Sequence, residues 1–571
     1  MKKIITVLLT LVLIFLTGCG AQNDAKKGSR TSVIAKKYAP EHSIGLLKFS
    51  SIENLFTVFE FDPGSGLGSE MGLPEKEEFK KIIGFDPTVL SEYERIGFDT
   101  KREFGIVLTG LIIDGNEPEN TSGNIGLLFP LTQNSNAYDF IKQRIASSDD
   151  KSVVMTEENG MIMIRDNTDS GVLATIKSND DYLVLNLAVN SDETAETFFR
   201  SVGHLKDNAN YKEVSKEIDL GSDIAVYFDA QEFITTNSAG LKDLSKNPLM
   251  GQNQIGSVEF LDFYRGMGIV SDLSATDLRI SSVAFVEKDN MIHKMTRGKD
   301  NKSAILDIEK KPAVLLAFVF NAKEYLDYML KVMPEENTAE FEKQVQSYKN
   351  SMDIDIKEDI IYQLAGSINL GIFDAASINM MQYNTIFNFN VRDRSRFLEL
   401  LEKVAPVANM KKMDSDEISG IVQDNDLSAN TDMFSVNLGM SFLYVIVSDE
   451  NVSVCTSRDL AADITKKDTE TYLSELEKDI AEGLKNDKNY FYIDFSETYI
   501  AVKNIYQFFA GMTGSKNTLS PGVDEFVKNF EYLYAYGNVK GEAAKSEFIL
   551  KTKFTKPFFI SLKEEIAKIK E

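Results

Sequence analysis

The chain has 571 residues, with 62 Lys and Arg against 87 Asp and Glu, and therefore a formal net charge of −25. A hydrophobic content of 43% is typical of a folded protein and excludes a disordered chain. This length corresponds to about three to five domains of ordinary size. The negative charge repels phosphate backbones, and since the chain has no large basic patch, we expect no nucleic acid as a partner.

The first residues predict a secretory signal peptide. Met1–Lys3 is a short basic start, and Ile4–Leu16 is a nearly unbroken apolar run. This run is shorter than the roughly 20 residues that a helix needs to cross a bilayer. We therefore interpret residues 1–18 as a cleaved signal peptide and not as a permanent membrane span.

The end of this segment, Leu16-Thr17-Gly18-Cys19, resembles the lipobox of bacterial lipoproteins. The resemblance implies that the Cys19 thiol carries a diacylglycerol with fatty acyl chains such as palmitate, and that Cys19 becomes the mature N-terminus. The alternative is an ordinary signal cleavage in which Cys19 is incidental. Two or more acyl chains give stable membrane anchoring. We thus expect a protein of the cell envelope, at the outer membrane or on the extracytoplasmic face of the cell membrane.

Residues 19–38 are expected to form a lipidated flexible tether. Asp24 is the only acid among residues 20–37, which include five basic residues: Lys26, Lys27, Arg30, Lys36 and Lys37. Basic residues are attracted to an anionic lipid surface, whereas an acidic body is repelled from it. The charge distribution predicts a folded body that stands off the membrane.

The second cysteine, Cys455, lies in Asn451–Ser457, where apolar and polar residues alternate as in a strand. If Cys19 is acylated, Cys455 has no partner for an intrachain disulfide. We predict a buried, inert thiol. The alternative, a reactive nucleophile, needs a nearby His that the local sequence does not supply.

The body of the chain is predicted to be an internal duplication. Six pairs of segments recur in the same order: Leu46–Phe49 with Leu315–Phe318, Asp99–Phe104 with Asp355–Ile360, Asn124–Phe129 with Asn384–Phe389, Lys177–Asp180 with Val447–Glu450, Ala225–Asp229 with Tyr490–Asp494, and Gly266–Val270 with Tyr536–Val539. The predicted arrangement is a first half at 39–287, a polar linker at 288–311, and a second half at 312–571 that ends in a helix. The alternative is that strand and helix boundaries simply recur in any chain of this class.

Each half follows a pattern of strand, short polar turn and amphipathic helix. Thr385–Val391 reads as a strand, the turn at 392–395 supplies capping oxygens, and Phe397, Leu398, Leu401 and Val404 follow at helical spacing. Hairpin-like pairs elsewhere favour antiparallel strands. The predicted fold class is α+β, with two similar halves of such modules on largely antiparallel sheets.

The search for catalytic or metal-binding motifs gives no candidate residue. His42, His204 and His293 are scattered without zinc-site spacing. The run from Asp424 begins like a calcium loop but lacks the required Gly and the final Glu. The sequence therefore predicts no cofactor, although a site made only of carboxylates stays open.

Three functional interpretations remain. The first is a non-enzymatic lipoprotein of the envelope that binds an envelope protein or a small-molecule ligand, or has a structural role. The second is an envelope hydrolase or metal-dependent enzyme that uses carboxylates we cannot locate. The third is a carrier of apolar ligands or lipids, suggested by 37 Phe and 21 Tyr in a chain without Trp, although aromatic residues also fill cores.

Overall fold

The computed structural model describes residues 32–570, apart from 59–84, 87–88, 115–120, 148–152, 167–171, 192, 201–202, 245–263, 274, 288–290, 297–303, 334, 375–383, 423–430, 440, 450, 466–471, 487–488 and 514–520. Contacts divide the chain into two compact units. Unit 1 comprises Met1–Glu287, Lys540–Glu547 and Lys556–Ser561. Unit 2 comprises Lys288–Val539, Phe548–Thr555 and Leu562–Glu571. The predicted signal peptide and Cys19 lie outside the described residues.

Unit 1 contains an antiparallel sheet. Its strands are β1 (Gly45–Phe49), β2 (Phe104–Ile112), β3 (Ser122–Pro130), β4 (Val153–Glu158), β5 (Met161–Asp166), β6 (Val172–Ser178), β7 (Tyr182–Val189), β8 (Ile224–Asp229), β9 (Tyr264–Ser271) and β10 (Leu278–Val286). They pair in the order β4-β5-β6-β7-β3-β2-β1-β8-β9-β10. The short β1 lies near the middle of the sheet and is paired on both sides.

Helices lie on both faces of this sheet. They are α1 (Val33–Lys37), α2 (Ile52–Val58), α3 (Leu90–Ile96), α4 (Ala137–Ala146), α5 (Ala209–Glu217) and α6 (Ala230–Leu244). One apolar cluster joins α1 and α5 to the sheet through Ile34, Val214 and Leu46. A second cluster joins α2, α3 and α4 to Phe49 and Phe104. Alternating strand residues supply these two cores because successive side chains point to opposite faces.

Unit 2 is built from a second antiparallel set. Its strands are β11 (Pro312–Asn321), β12 (Leu364–Phe373), β13 (Thr385–Val391), β14 (Met410–Lys412), β15 (Thr431–Asn437), β16 (Phe442–Ser448), β17 (Asn451–Cys455), β18 (Asn489–Asp494), β19 (Phe530–Lys540) and the later part of β20 (Ala543–Thr552), whose residues 543–547 belong to unit 1. They pair in the order β14-β15-β16-β17-β13-β12-β11-β18-β19, and β20 pairs with β19.

The helices that follow in the chain are α7 (Met291–Thr296), α8 (Ala322–Val332), α9 (Glu335–Met352), α10 (Arg394–Val404), α11 (Ser415–Ser419), α12 (Arg458–Asp463), α13 (Lys478–Asn486), α14 (Phe495–Thr513), α15 (Pro521–Val527) and α16 (Phe558–Lys570). Helix α10 begins after Asp393, whose side chain accepts a hydrogen bond from the Arg396 amide. Its apolar stripe reaches the sheet through Leu401, beside Phe389 and Val391. No described helix is both long and apolar enough to cross a membrane.

The two units have the same strand order when β1–β9 are matched with β11–β19. Each of the six recurring sequence segments also lies on, or directly beside, matching strands. The structure confirms an α+β fold with largely antiparallel sheets. The common origin of the two halves stays a prediction, because equal topology does not by itself show descent.

The predicted tether is too long at its C-terminal end. Residues 33–37 form helix α1, and Ile34 and Ala35 are completely buried. The Glu103 carboxylate holds the start of this helix by accepting hydrogen bonds from Ser32 and from the amides of Val33 and Ile34. These residues belong to the fold because the buried Ile34 and Ala35 directly precede the two lysines from which we predicted a tether.

The predicted linker and the end of the second half also differ from the structure. Ile305 and Ile308 of the predicted linker are buried in a core cluster of unit 2, so part of this polar stretch is structural. Residues 540–547 and 556–561 belong to unit 1 although they come from the end of the chain. Residues 288–311 are mostly polar, so the sequence did not indicate that a few aliphatic residues among them are buried. Contacts made by residues from the distant end of the chain leave no pattern in the local sequence.

Candidate functional site

A row of apolar side chains crosses the middle of the unit 1 sheet. It consists of one residue from each of six adjacent strands, in register: Leu185, Leu127, Ile106, Leu47, Val226 and Ile269. All six side chains are only half-buried. We call this set the unit 1 row. A sheet with helices on both faces normally buries its central apolar residues fully, whereas these six are partly accessible to solvent.

The opposite face of the same strands is packed tightly. Leu46, Val107 and Tyr227, each next to a row residue in sequence, are at most 3% exposed. On that face, Gly126 lies against the Phe198 ring with no room for a Cβ. Because side chains alternate along a strand, the unit 1 row lies on the face that also carries the cluster of α2, α3 and α4, and Leu47, Ile106 and Leu185 pack against that cluster.

Unit 2 has a matching set, which we call the unit 2 row. Its residues come from the matching strands and are also in register: Val454, Phe387, Leu370, Leu316, Phe491 and Ala535. Phe387 is 40% exposed, and the remaining five side chains are half-buried. Phe318, on the same face two residues from Leu316, is 36% exposed. Aromatic side chains at the centre of a sheet are normally buried.

Three positions of the two rows also correspond in the sequence repeat. Leu47 corresponds to Leu316, Leu127 to Phe387 and Val226 to Phe491 in the recurring segments. Neighbouring strands lie about 4.8 Å apart, so a row across six strands is about 24 Å long. The unit 1 row is entirely aliphatic, whereas the unit 2 row contains two phenylalanines.

The rows contain no ionisable or hydrogen-bonding side chain. On the strands that form them, the backbone N–H and C=O groups are engaged in the antiparallel ladders. A ligand therefore meets apolar surface without an unpaired donor or acceptor. Such a surface selects ligands by apolar area and shape, not by charge.

Chemically distinctive side chains lie instead on the packed face. The Lys48 amine is buried and donates a hydrogen bond to the Ser222 carbonyl. Burial lowers the pKa of Lys48, while the charges of Glu103, Asp223 and Asp219 act in the opposite direction. This lysine touches no row residue across the sheet plane because it alternates with Leu47 along β1. We assign it to the core.

Buried amides cross the central strands of both units. In unit 1, Asn124 donates to Ser191 and to Glu193, at 2.9 and 3.1 Å. In unit 2, Asn369 donates to the Asn388 side chain at 3.1 Å. The Oδ1 atoms of Asn124 and Asn369 accept no hydrogen bond from the described residues, and buried acceptors of this kind normally hold ordered water. These amides lie on the packed face and do not contribute to the rows.

The residues singled out from the sequence do not converge. Cys455 ends β17, is completely buried and is a free cysteine, as predicted. Burial raises the pKa of its thiol, and Asp463 adds to this rise. Among the described residues no group of three His, Cys, Asp or Glu side chains is placed to hold a metal ion.

Reasoning from the sequence missed both rows. Each strand contributes only one residue to its row, and the signal that these residues share appears only when the strands are placed in register. The sequence repeat contained part of that signal, because it aligned the row residues of β1, β3 and β8 with those of β11, β13 and β18. The partial exposure of the rows is not encoded in this local pattern.

Comparison with known proteins gives little support of its own. No family model matches the chain, and no curated protein matches it. Three solved structures of TP0453, in crystal forms III, I and IV, are similar at 10%, 10% and 9% identity and TM-scores of 0.24, 0.22 and 0.23. They cover 48%, 47% and 45% of this chain and 89%, 84% and 83% of the TP0453 chain. At these scores we draw no conclusion from the likeness.

Proposed function

We propose that the protein is a lipid-anchored, non-enzymatic protein of the cell envelope that binds acyl chains on its two apolar rows. The anchor is the diacylglycerol on Cys19 implied by the lipobox, at the outer membrane or the extracytoplasmic face of the cell membrane. The observation that carries the binding function is the partly exposed apolar row at the centre of each sheet.

Acyl chains fit the chemistry of the rows. A row has no polar side chain and no free backbone group, so a peptide strand would gain no hydrogen bond from it. One leaflet of a bilayer has a hydrocarbon thickness of about 15 Å, which is the length of an acyl chain, and a row of about 24 Å accommodates it. Binding would complete the burial of these partly exposed side chains and would also bury the methylene groups of the acyl chain, at roughly 0.8 kcal/mol each.

The test is a fluorescence titration with 11-(dansylamino)undecanoic acid, whose emission rises in an apolar environment. The protein is the mature chain, residues 19–571, with Cys19→Ser to remove the anchor. We expect two bound probes per chain. Leu47→Gln in the unit 1 row and Leu316→Gln in the unit 2 row should each leave one, and the double variant none.

Two further substitutions serve as matched controls. Val154→Gln in unit 1 and Val407→Gln in unit 2 replace valines that are 41% and 78% exposed and lie outside the rows. Both should keep two bound probes. Absence of probe binding, or binding that survives the double row variant in a chain with an unchanged circular dichroism spectrum, contradicts the proposal. If the protein binds vesicles or another protein but not the probe, the rows bind those partners and not free acyl chains.

A further inference from the structure

The two most exposed large apolar side chains among the described residues lie at the same end of the unit 2 sheet. Val407, in the loop between α10 and β14, is 78% exposed, and Leu438, in the turn from β15 to β16, is 57% exposed. Phe442, the first residue of β16, is 47% exposed. We call these three side chains the hairpin tip.

Strand pairing brings the three residues of the hairpin tip to one place. Among the described strands, β14 is the outermost of the unit 2 sheet, and its first residue, Met410, pairs with Val436 of β15. The loop before β14 and the turn after β15 therefore lie at the same end of this ladder. They are also joined directly, because the Asn409 side chain donates a hydrogen bond to the Asn437 carbonyl at 3.2 Å. Asn437 in turn pairs in register with Phe442.

Backbone amides of the turn have their hydrogen-bond partners within the protein. The Leu438 amide donates to the Ser441 carbonyl at 2.9 Å, and the Gly439 amide donates to the Asn437 side chain at 2.7 Å. A Cβ placed on Gly439 would meet no described atom within 4 Å, so the turn is open to its surroundings. Backbone groups enter an apolar phase at low cost only when they are already paired. These amides can therefore leave water without losing a partner.

Basic side chains lie just behind the hairpin tip. Lys411 and Lys412 of β14 pair with the second and third residues before Asn437, the end of β15, and so lie about 7 and 10 Å from that end. Residues 404–413 and 436–443 contain these two lysines and no acid, whereas the whole chain has a net charge of −25. The surface around the tip is therefore basic in an otherwise acidic protein.

The acids that pair with these lysines lie outside the two segments. Lys411 pairs with Glu417 of α11, and Lys412 pairs with Asp432 at 2.8 Å. Asp432 is five positions before the end of β15, or about 17 Å along the strand, and is thus further from the tip than the lysines are. Both lysine side chains stay more than half exposed, so they are accessible to an external anion.

We propose that the hairpin tip inserts into the interface of an anionic lipid bilayer. Val407, Leu438 and Phe442 lie among the acyl chains, and Lys411 and Lys412 lie at the level of the phosphate groups. Apolar residues backed by basic ones are typical of segments that bind a membrane interface, because apolar burial and attraction to anionic lipids act together. The acidic remainder of the chain is repelled from such a surface, which limits contact to the tip. The inference does not depend on the apolar rows or on the predicted lipid anchor.

A bilayer suits the hairpin tip better than a folded protein partner does. A specific protein interface buries about 800 Å² on each partner and includes about ten hydrogen bonds. Three side chains at the end of a hairpin supply little of that area, and the turn amides are already paired. A bilayer needs neither a matching pocket nor matching hydrogen bonds, since its acyl chains rearrange around an inserted side chain.

The chain contains no tryptophan, which makes a direct test practicable. Leu438→Trp introduces a single Trp whose emission reports the surroundings of the tip. The protein is the mature chain, residues 19–571, with Cys19→Ser, and the vesicles contain equal amounts of phosphatidylcholine and phosphatidylglycerol. We expect the emission to move to shorter wavelength on vesicle binding. It should also be quenched when the phosphatidylcholine carries bromine on its acyl chains.

Val502→Trp and Ile112→Trp are the matched controls. Each replaces an apolar side chain that is 51% exposed and lies outside the hairpin tip. Neither should show the shift or the quenching. Vesicle binding without quenching of Leu438→Trp, or equal quenching in the controls, overturns the inference.

Co-sedimentation with the same vesicles measures how much each part of the surface contributes. Val407→Gln combined with Leu438→Gln should weaken binding at least tenfold, with an unchanged circular dichroism spectrum. Lys411→Gln combined with Lys412→Gln should weaken it about fivefold on anionic vesicles and leave binding to phosphatidylcholine alone unchanged.

The remaining outcomes separate this inference from the proposed function. Absence of vesicle binding overturns the inference and leaves acyl-chain binding at the rows standing. The double variant Leu47→Gln and Leu316→Gln should bind vesicles like the parent chain. Loss of vesicle binding in that variant, with binding retained when Val407 and Leu438 are replaced, would assign membrane contact to the rows and overturn the inference.

Discussion

Leu47 and Leu316 occupy the same position on matching strands, and each is paired in register on both sides by apolar residues of its row. Leu47 lies between Ile106 and Val226, and Leu316 lies between Leu370 and Phe491. Both leucines are half-buried, while the residues before them, Leu46 and Leu315, are core residues. One face of each sheet thus carries an apolar row that is only partly buried in both units.

The two cysteines give a direct test of the anchor. We expect the mature protein isolated from its membrane to show no thiol that reacts with Ellman's reagent in the native state and one in denaturant, because Cys19 is acylated and Cys455 is buried. In a mature chain made without acylation, one thiol should react at once. A rapidly reacting thiol in the membrane-derived protein would contradict the acylation of Cys19.

Glu103 should control the attachment of helix α1. Its carboxylate accepts three hydrogen bonds at the helix start, two of them from backbone amides. Glu103→Gln removes the negative charge from these contacts and should lower the free energy of unfolding by about 1–2 kcal/mol. Hydrogen exchange of the α1 amides should also become faster. Glu158→Gln, at an exposed position, is the control, and unchanged exchange in the Glu103 variant would count against this role.

Lys48 should make stability depend on pH in the alkaline range. Burial lowers its pKa in the folded protein below the unfolded value of 10.5, so between these two values the unfolded chain binds more protons. The free energy of unfolding therefore rises with pH across that window. Compared with Lys48→Met, which does not titrate, the wild type should gain stability as pH increases through that window towards about 10.

Urea unfolding of both proteins at several pH values measures this difference. The comparison cancels the contributions of tyrosines and other groups that titrate in both chains. The loss of the hydrogen bond to Ser222 adds a constant offset and no slope. If the difference in free energy of unfolding between the two proteins does not change with pH, folding does not lower the pKa of Lys48.

Asp229 should be more important for stability than an exposed cap. Its carboxylate accepts hydrogen bonds from Asn208, Asn210 and Tyr227 and from the Glu232 amide at the start of α6, and it is 1% exposed. Asp229→Ala leaves buried donors unpaired and should cost about 2–3 kcal/mol. Asp393→Ala, at the exposed cap of α10, should cost about 1 kcal/mol in the same chemical denaturation experiment. Equal losses of unfolding free energy in the two variants would contradict the larger contribution that we assign to the buried Asp229.

Part of the fold was predictable because local patterns determine it. The strand Thr385–Val391 has the predicted bounds, and the helix after it begins at the predicted polar turn, where Asp393 is the cap. Side-chain oxygens compete for the same free amides, and the sequence does not show which one has the right geometry. The α+β class followed from these modules.

Long-range contacts account for what the sequence did not show. Ser32–Lys37 reads as part of a polar tether until Glu103, 71 positions from Ser32, is placed beside it. Lys48 and Asn388 lie in apolar strand segments that give no sign of which side chains are buried. The rows themselves need the pairing of six strands, and such register is set by the whole sheet and not by any one segment.

The most direct test of acyl-chain binding is photolabelling with a diazirine-bearing fatty acid, followed by mass spectrometry of the peptides. The mature chain with Cys19→Ser is the protein. We expect the label on β1, β2, β3 and β8 in unit 1 and on β11, β12, β13 and β18 in unit 2, with a strong decrease at the matching unit in Leu47→Gln and Leu316→Gln. Label that falls outside these strands and is unaffected by both substitutions would contradict the account.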